Sequence, residues 1–295
     1  MQGEDASHET PQAAAALRQE AVELARKSDA AIVVVGYSYK LESEGFDRPS
    51  MDLPAGQDEL IASVAASNQN TIVVIVAGAP VTMTKWIGRV PAVVQAWYGG
   101  QEAGHAIGDI LFGAQNPSGK LPVTFPKQWA DSPAYGHYPG ENLHTAYDEG
   151  IYVGYRGFDQ RNVEPLFPFG HGLSYTKFDY SGLEITPAKA TAGKQVQVTM
   201  RVRNSGPRAG AEIVQLYLHD VKSSVDRPVK ELKGFRRVTL NPGQAQNVSF
   251  TLDQSALSFY SAAKDEWVAE PGAFEVWIGA SSRDIRLKGA FELTQ

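Results

Sequence analysis

The chain contains no cysteine in its 295 residues. That excludes disulfides, Cys-ligated zinc, iron–sulfur clusters and thiol nucleophiles, and it leaves the redox compartment open. No run approaches the roughly 18 apolar residues of a membrane span, so a membrane is not an expected partner. Positive charge is in short supply: 27 Lys and Arg stand against 33 Asp and Glu, a formal net charge of −6. Nucleic acid and anionic surfaces select for basic patches, so nucleic acid is not expected either. The six histidines fall in no HExxH or comparable ligand spacing, so no metal site is expected. There is no G-x-S-x-G elbow, no G-x-G-x-x-G and no phosphate loop, and no cofactor is expected.

What is present has the composition of a globular protein, 43% hydrophobic and 20% charged. The length suggests about two domains. The polar, acidic start MQGEDASHETPQ reads as a tail leading into a helix or as a start in the middle of a longer protein, and not as a signal peptide. Thr10-Pro11 then sets a capping residue before a proline in the first helical turn. Leu17, Ala21, Leu24 and Ala25 follow at helical spacing. Ala31–Gly36 and Thr71–Ala77 are continuous β-branched runs, expected as strands buried on both faces. A helix from Pro54 separates them, and Val93–Tyr98 and Glu102–Phe112 predict a third strand and another helix. This order predicts an α/β three-layer sandwich with a mostly parallel sheet over residues 1–174. Near Tyr175 the period changes to two. Val196/Val198/Met200/Val202, Val214/Leu216/Leu218, Val248/Phe250/Leu252 and Phe274/Val276/Ile278 each alternate with polar residues. Residues 175–295 are therefore expected to form a β-sandwich of the fibronectin type III kind. The Gly-, Pro-, Tyr- and His-rich stretch 126–174 is too long for a simple linker and is expected to wrap a domain or line a cleft.

The segment Leu41-Glu42-Ser43-Glu44-Gly45-Phe46-Asp47-Arg48 follows the first buried strand. Ligands of open α/β sheets sit outside the carboxyl ends of strands, so three carboxylates and an arginine there are placed for acid–base chemistry. The same residues also read as a solvated acidic loop with an Asp47–Arg48 ion pair. Glu42 and Glu44, if extended, would share a face about 6.5 Å apart. They would still approach a sugar from one side, so they cannot flank it as a catalytic pair. Gly99-Gly100-Gln101-Glu102 is expected to serve tight strand-to-helix packing.

The residues carry a strong resemblance. Glu44-Gly45-Phe46-Asp47-Arg48, Leu53-Pro54, Gln57-Asp58, Ala96–Gly104, Asn116–Pro122, Tyr147–Arg156 and Pro168–Tyr175, in this order, resemble the C-terminal part of a glycoside hydrolase family 3 enzyme of the β-glucosidase/β-xylosidase type. The second half resembles that family's fibronectin III-like domain, with Val229–Phe235 matching a characteristic strand. The resemblance implies a retaining hydrolase of β-linked glucosides or oligosaccharides at non-reducing ends. By the motif match Glu44 is the general acid/base, with Glu42 as the nearby alternative; Glu42, Asp47 and Arg48 are substrate-binding candidates, and Asp47 and Arg48 could equally order the loop. Family members carry the aspartate nucleophile on a preceding (β/α)8 barrel, which nothing in this chain matches. The resemblance therefore implies a half-site, little activity alone, a barrel supplied elsewhere, and an exposed apolar patch prone to oligomerise. The alternatives are a non-catalytic carbohydrate-binding or structural module and a small-ligand binder on a flavodoxin-like sheet.

Overall fold

A computed structural model describes residues 10–45, 47–138, 140–142 and 144–295. The N-terminal tail and Phe46 of the acidic-loop motif lie outside the described residues. The chain divides into two compact units, Met1–Gly108 with Lys127–Trp129, and Asp109–Pro126 with Ala130–Gln295. Residues 130–174 belong to the second.

The first unit opens with helix α1 (Pro11–Arg26). Thr10 caps it as its spacing predicts: the backbone is extended and the hydroxyl accepts from Ala13 N at 3.2 Å. Strand β1 (Ala31–Gly36), helix α2 (Gln57–Ser67), strand β2 (Thr71–Val76) and strand β3 (Ala92–Gln95) follow. The sheet is parallel throughout in the order β1-β2-β3, with Ala31 opposite Thr71 and Ile72 opposite Ala92. Helix α2 packs on β1 and β2, and α1 packs on α2. A 3-10 turn at Gly100–Glu102 leads into helix α3 (Ala103–Leu111). A Cβ on Gly99 would stand 2.9 Å from that of Ala103, which accounts for glycine at this junction.

Two local expectations need correction, the start of the second helix and the burial of the first strand. Helix α2 begins at Gln57, not Pro54, because Gly56 takes a left-handed conformation and ends the preceding turn. The buried face of α1 is carried by Val22 and Ala25, whereas Leu17 and Leu24 are exposed. Strand β2 is buried on both faces, but β1 is not: Ile32 and Val34 are 45% and 60% exposed. Helix α2 covers the Val33 and Val35 side of β1, and the alternate side chains, pointing to the opposite face, are exposed among the described residues.

The second unit carries helix α4 (Tyr155–Gln160) and then a run of strands: β4 (Phe178–Thr186), β5 (Lys189–Thr191), β6 (Val196–Asn204), β7 (Gly210–Asp220), β8 (Glu231–Leu240) and β9 (Ala245–Leu252). After helix α5 (Gln254–Leu257) come the hairpin β10 (Phe259–Ser261) and β11 (Glu266–Val268), then β12 (Gly272–Gly279) and β13 (Ile285–Thr294). One sheet runs β5-β13-β12-β7-β8 and a second runs β4-β6-β9. The residues read as alternating inward, from Val196 to Ile278, are buried and form one core between the sheets. Fully burying each such side chain contributes about 1.5–3 kcal/mol. The expected architecture, parallel α/β followed by a β-sandwich, is the one observed.

Candidate functional site

The carboxyl ends of β1, β2 and β3 each run into a loop, and one carboxylate joins the three. Glu42, after β1, accepts from the backbone N–H of Gly78, after β2, at 2.8 Å. The same Oε2 accepts from the hydroxyl of Tyr98, after β3. Its Oε1 receives Arg48 Nη1 at 3.3 Å, and both side chains are largely withdrawn from water. Arg48 also donates to Pro80 O at 2.8 Å and lies 4.5 Å above the ring of Tyr37.

A second set of contacts fastens the far end of the loop. The Tyr37 hydroxyl donates to Asp52 O, and Asp52 accepts from Thr82 Oγ1 and, at 3.1 Å, from Lys85 Nζ. Lys85 reaches Asp58 at 3.0 Å, and Asp58 also accepts from the indole of buried Trp86 at 3.0 Å. Gln57 reads the end of β1 with both amide atoms, accepting from Gly36 N at 2.8 Å and donating to Gly36 O at 2.9 Å. A Cβ on Gly36 would lie 1.9 Å from Val76 O, so only glycine fits where the two strands end.

These contacts set the ionisation of the site. Burial and the Glu42 carboxylate together push the Tyr98 phenol up to about 12. Burial raises the Tyr37 phenol too, against the pull of Arg48. The hydrogen bonds from Thr82 and Lys85 hold Asp52 below the usual carboxylate range.

Glu42 and Glu44 end in different environments because the loop is turned, not extended. The N–H groups of Leu41 and Glu42 both bond back to Ser38 O, at 2.9 and 3.0 Å. Glu42 points into the network, while Glu44 is exposed and makes no hydrogen bond or ion pair among the described residues. Asp47 is exposed as well. The structure thus brings Glu42 and Arg48 together and leaves Glu44 and Asp47 facing solvent. Sequence reasoning missed Tyr37, Gly78, Pro80 and Tyr98. Tyr98 sits inside the matched Ala96–Gly104 stretch, and Gly78 directly follows β2, so strand ends were the available signal. Among the described residues no cluster of His, Cys, Asp or Glu is arranged to hold a metal.

Comparison with known proteins gives this geometry a family. Residues 5–175 match the glycosyl hydrolase family 3 C-terminal domain, and residues 212–282 match a fibronectin type III-like domain. Thermostable beta-glucosidase B of Acetivibrio thermocellus is 49% identical over 272 residues, covering 92% of this chain and 36% of that protein. Beta-glucosidase BoGH3A of Bacteroides ovatus is 45% identical, covering 95% of this chain and 38% of its own length. The crystal structure of DesR, a beta-glucosidase from Streptomyces venezuelae in complex with D-glucose, superposes with a TM-score of 0.91 at 42% identity, covering 97% of this chain and 36% of that one. The chain thus spans little more than a third of the length of these relatives. With both halves matched in order, the chain belongs to glycosyl hydrolase family 3, of which it carries the C-terminal and fibronectin type III-like domains.

Proposed function

We propose that this chain is the C-terminal portion of a retaining β-glycosidase that cleaves β-linked glucosides at their non-reducing ends, and that Glu44 is its general acid/base. The observation that carries the reading is the contrast between two carboxylates of one loop. Glu42 has both oxygens engaged in tying three strand-end loops together, and Glu44, two residues on, is accessible on the loop so held. In the first step Glu44 protonates the departing glycosidic oxygen. In the second it takes the proton from the attacking water. Asp47, exposed on the same loop, is the substrate-contacting candidate. Glu42 and Arg48 act by holding the loop.

A retaining site needs a second carboxyl about 5–5.5 Å away on the opposite face of the sugar. Glu42 cannot serve, because its oxygens are occupied and it rises from the same loop. In this reading the nucleophile comes from a segment outside this sequence, and the greater length of the relatives supports it. The chain alone is expected to show little or no turnover of aryl β-glucosides at any pH. Joined behind the preceding part of the Acetivibrio thermocellus relative, it is expected to turn them over in a Glu44-dependent way. Turnover by the isolated chain that vanishes in Glu44→Gln would overturn the half-site reading. Turnover by the joined protein that survives Glu44→Gln would overturn the role of Glu44.

A further inference from the structure

The second unit carries a half-open cleft of about 600 Å3, within the 300–1,000 Å3 range of small-molecule sites. Its walls come from the two motif stretches Asn116–Pro122 and Pro168–Tyr175 and from β4, β7 and the β12–β13 turn. They are firmly built. Asn116 accepts from Tyr175 N at 2.8 Å and from Ser174 Oγ at 2.9 Å, and donates to Ala209 O at 2.9 Å. Leu121 N bonds to His171 O and Gly170 N to Leu121 O, both at 2.8 Å. A Cβ on Gly172 would stand 2.1 Å from Gly119 O, so the two stretches are in direct backbone contact.

The chemistry of the lining is specific. Lys120, Lys177 and Arg286 supply positive charge, and Asp179, Glu212 and Asp284 balance it. Lys120 and Glu212, both largely buried, pair at 3.0 Å, and Arg286 meets Asp284 at 2.8 Å. The Lys120–Glu212 pair does not exhaust its members, whereas Arg286 meets both oxygens of Asp284 with Nε and Nη2 and gives Nη1 to Phe178 O at 2.8 Å. Lys120 carries three donors and spends one on Glu212 and one on Gly172 O at 2.9 Å. The carboxylate of Glu212 takes Lys120 and the N–H of Ile213 on the same oxygen, Oε1. At each of these two pairs a charged ligand would face a like charge beside the opposite one. A group that both donates and accepts, such as an aliphatic hydroxyl, meets a partner at both. Between the polar groups lie Pro117, Leu173, Phe178 and Ala211, apolar surface that suits the C–H faces of a sugar ring.

We propose that this cavity is a binding site for a neutral polyhydroxylated ligand, a mono- or disaccharide, held between the Lys120–Glu212 and Asp284–Arg286 pairs. The site belongs to the β-sandwich unit and does not depend on the role of Glu44.

The test is calorimetric and saturation-transfer titration of the whole chain with glucose and cellobiose, against gluconate and glucosamine as charged analogues. Two variants are compared. Leu173→Trp fills the cavity from an exposed position, and Lys120→Met with Glu212→Leu removes one ion pair together so that no buried charge is stranded. Glu44→Gln serves as a control, and melting curves report folding. The expected result is saturable binding of the neutral sugars at roughly millimolar Kd. Either cavity variant weakens it about tenfold or more, with the fold retained, and Glu44→Gln leaves it unchanged. Absence of saturable binding to wild type, preference for gluconate or glucosamine, or binding that persists in both folded cavity variants overturns the proposal. So does binding that Glu44→Gln abolishes, since the sugar would then sit elsewhere.

Discussion

Replacing Glu42 by Gln keeps shape and removes charge, and its cost follows from the contacts. The carboxylate accepts from Arg48, Gly78 and Tyr98. Hydrogen bonds to a charged group are worth about 1.5–3 kcal/mol, against about 1 kcal/mol between neutral groups. With the amide oxygen facing Gly78 and Tyr98, its NH2 group confronts Arg48, donor against donor. Among the described residues the guanidinium keeps Pro80 O and the Tyr37 ring. Three weakened bonds give an expected loss of about 2–4 kcal/mol, and Tyr98→Phe, which deletes one donor, about 1–2 kcal/mol. Both remove the same contact in part, so the double variant loses less than the sum, with a coupling of about 0.5–1.5 kcal/mol. The assay is urea unfolding with hydrogen exchange at the Gly78 amide as the local probe. Tyrosine-selective NMR adds a readout that general destabilisation does not mimic. The Tyr98 phenol, pushed up to about 12 by burial and the Glu42 carboxylate, is expected to titrate there in the wild type and to move down in Glu42→Gln because a phenolate no longer faces a carboxylate. Additivity within about 0.3 kcal/mol, or a wild-type Tyr98 midpoint near the ordinary value of about 10, would refute the network.

Two further expectations concern the second unit. Lys230 and Asp159 form an ion pair with both side chains nearly fully buried, and Arg283 Nε meets the same carboxylate at 3.1 Å. Asp159→Ala strands Lys230, so denaturant unfolding is expected to show a loss of about 3–5 kcal/mol, and a loss under 1 kcal/mol would contradict the burial argument. His171 is held below its ordinary value by burial and then by Lys120, so its NMR titration midpoint is expected below about 6.5. The sign follows from linkage. Below that pH the unfolded chain takes a proton that the folded chain refuses, so this contribution to stability is lost as pH falls from about 6.5 toward the folded value. His171→Gln flattens that slope, and a midpoint at or above about 6.5 would contradict the environment described.

Legibility in the sequence differed between the two units for physical reasons. Each sandwich strand has one wet and one dry face, so period-two alternation marked its inward residues directly: Val196, Val198, Met200 and Val202 are all buried. Thr10 was legible because a cap is a local device. The exposure of Val34 was not legible because burial depends on what packs over a face, and a β-branched run does not carry that information. The acidic loop was located by its place after β1 and by its motif. The different surroundings of Glu42 and Glu44 were not legible, because Gly78 and Tyr98 come from loops 36 and 56 residues further along the chain. Only the parallel sheet brings them together.

The central claim is that Glu44 moves the proton. The most direct measurement is the leaving-group dependence of kcat/KM in the protein completed with a family 3 barrel, wild type against Glu44→Gln. A dinitrophenyl β-glucoside leaves without protonation, whereas a methyl or phenyl β-glucoside needs an acid. The account predicts a small loss on the activated substrate and a loss of about 10²–10⁴ on the poor ones. An equal loss on all of them would mean that Glu44 binds or supports the fold and is not the acid.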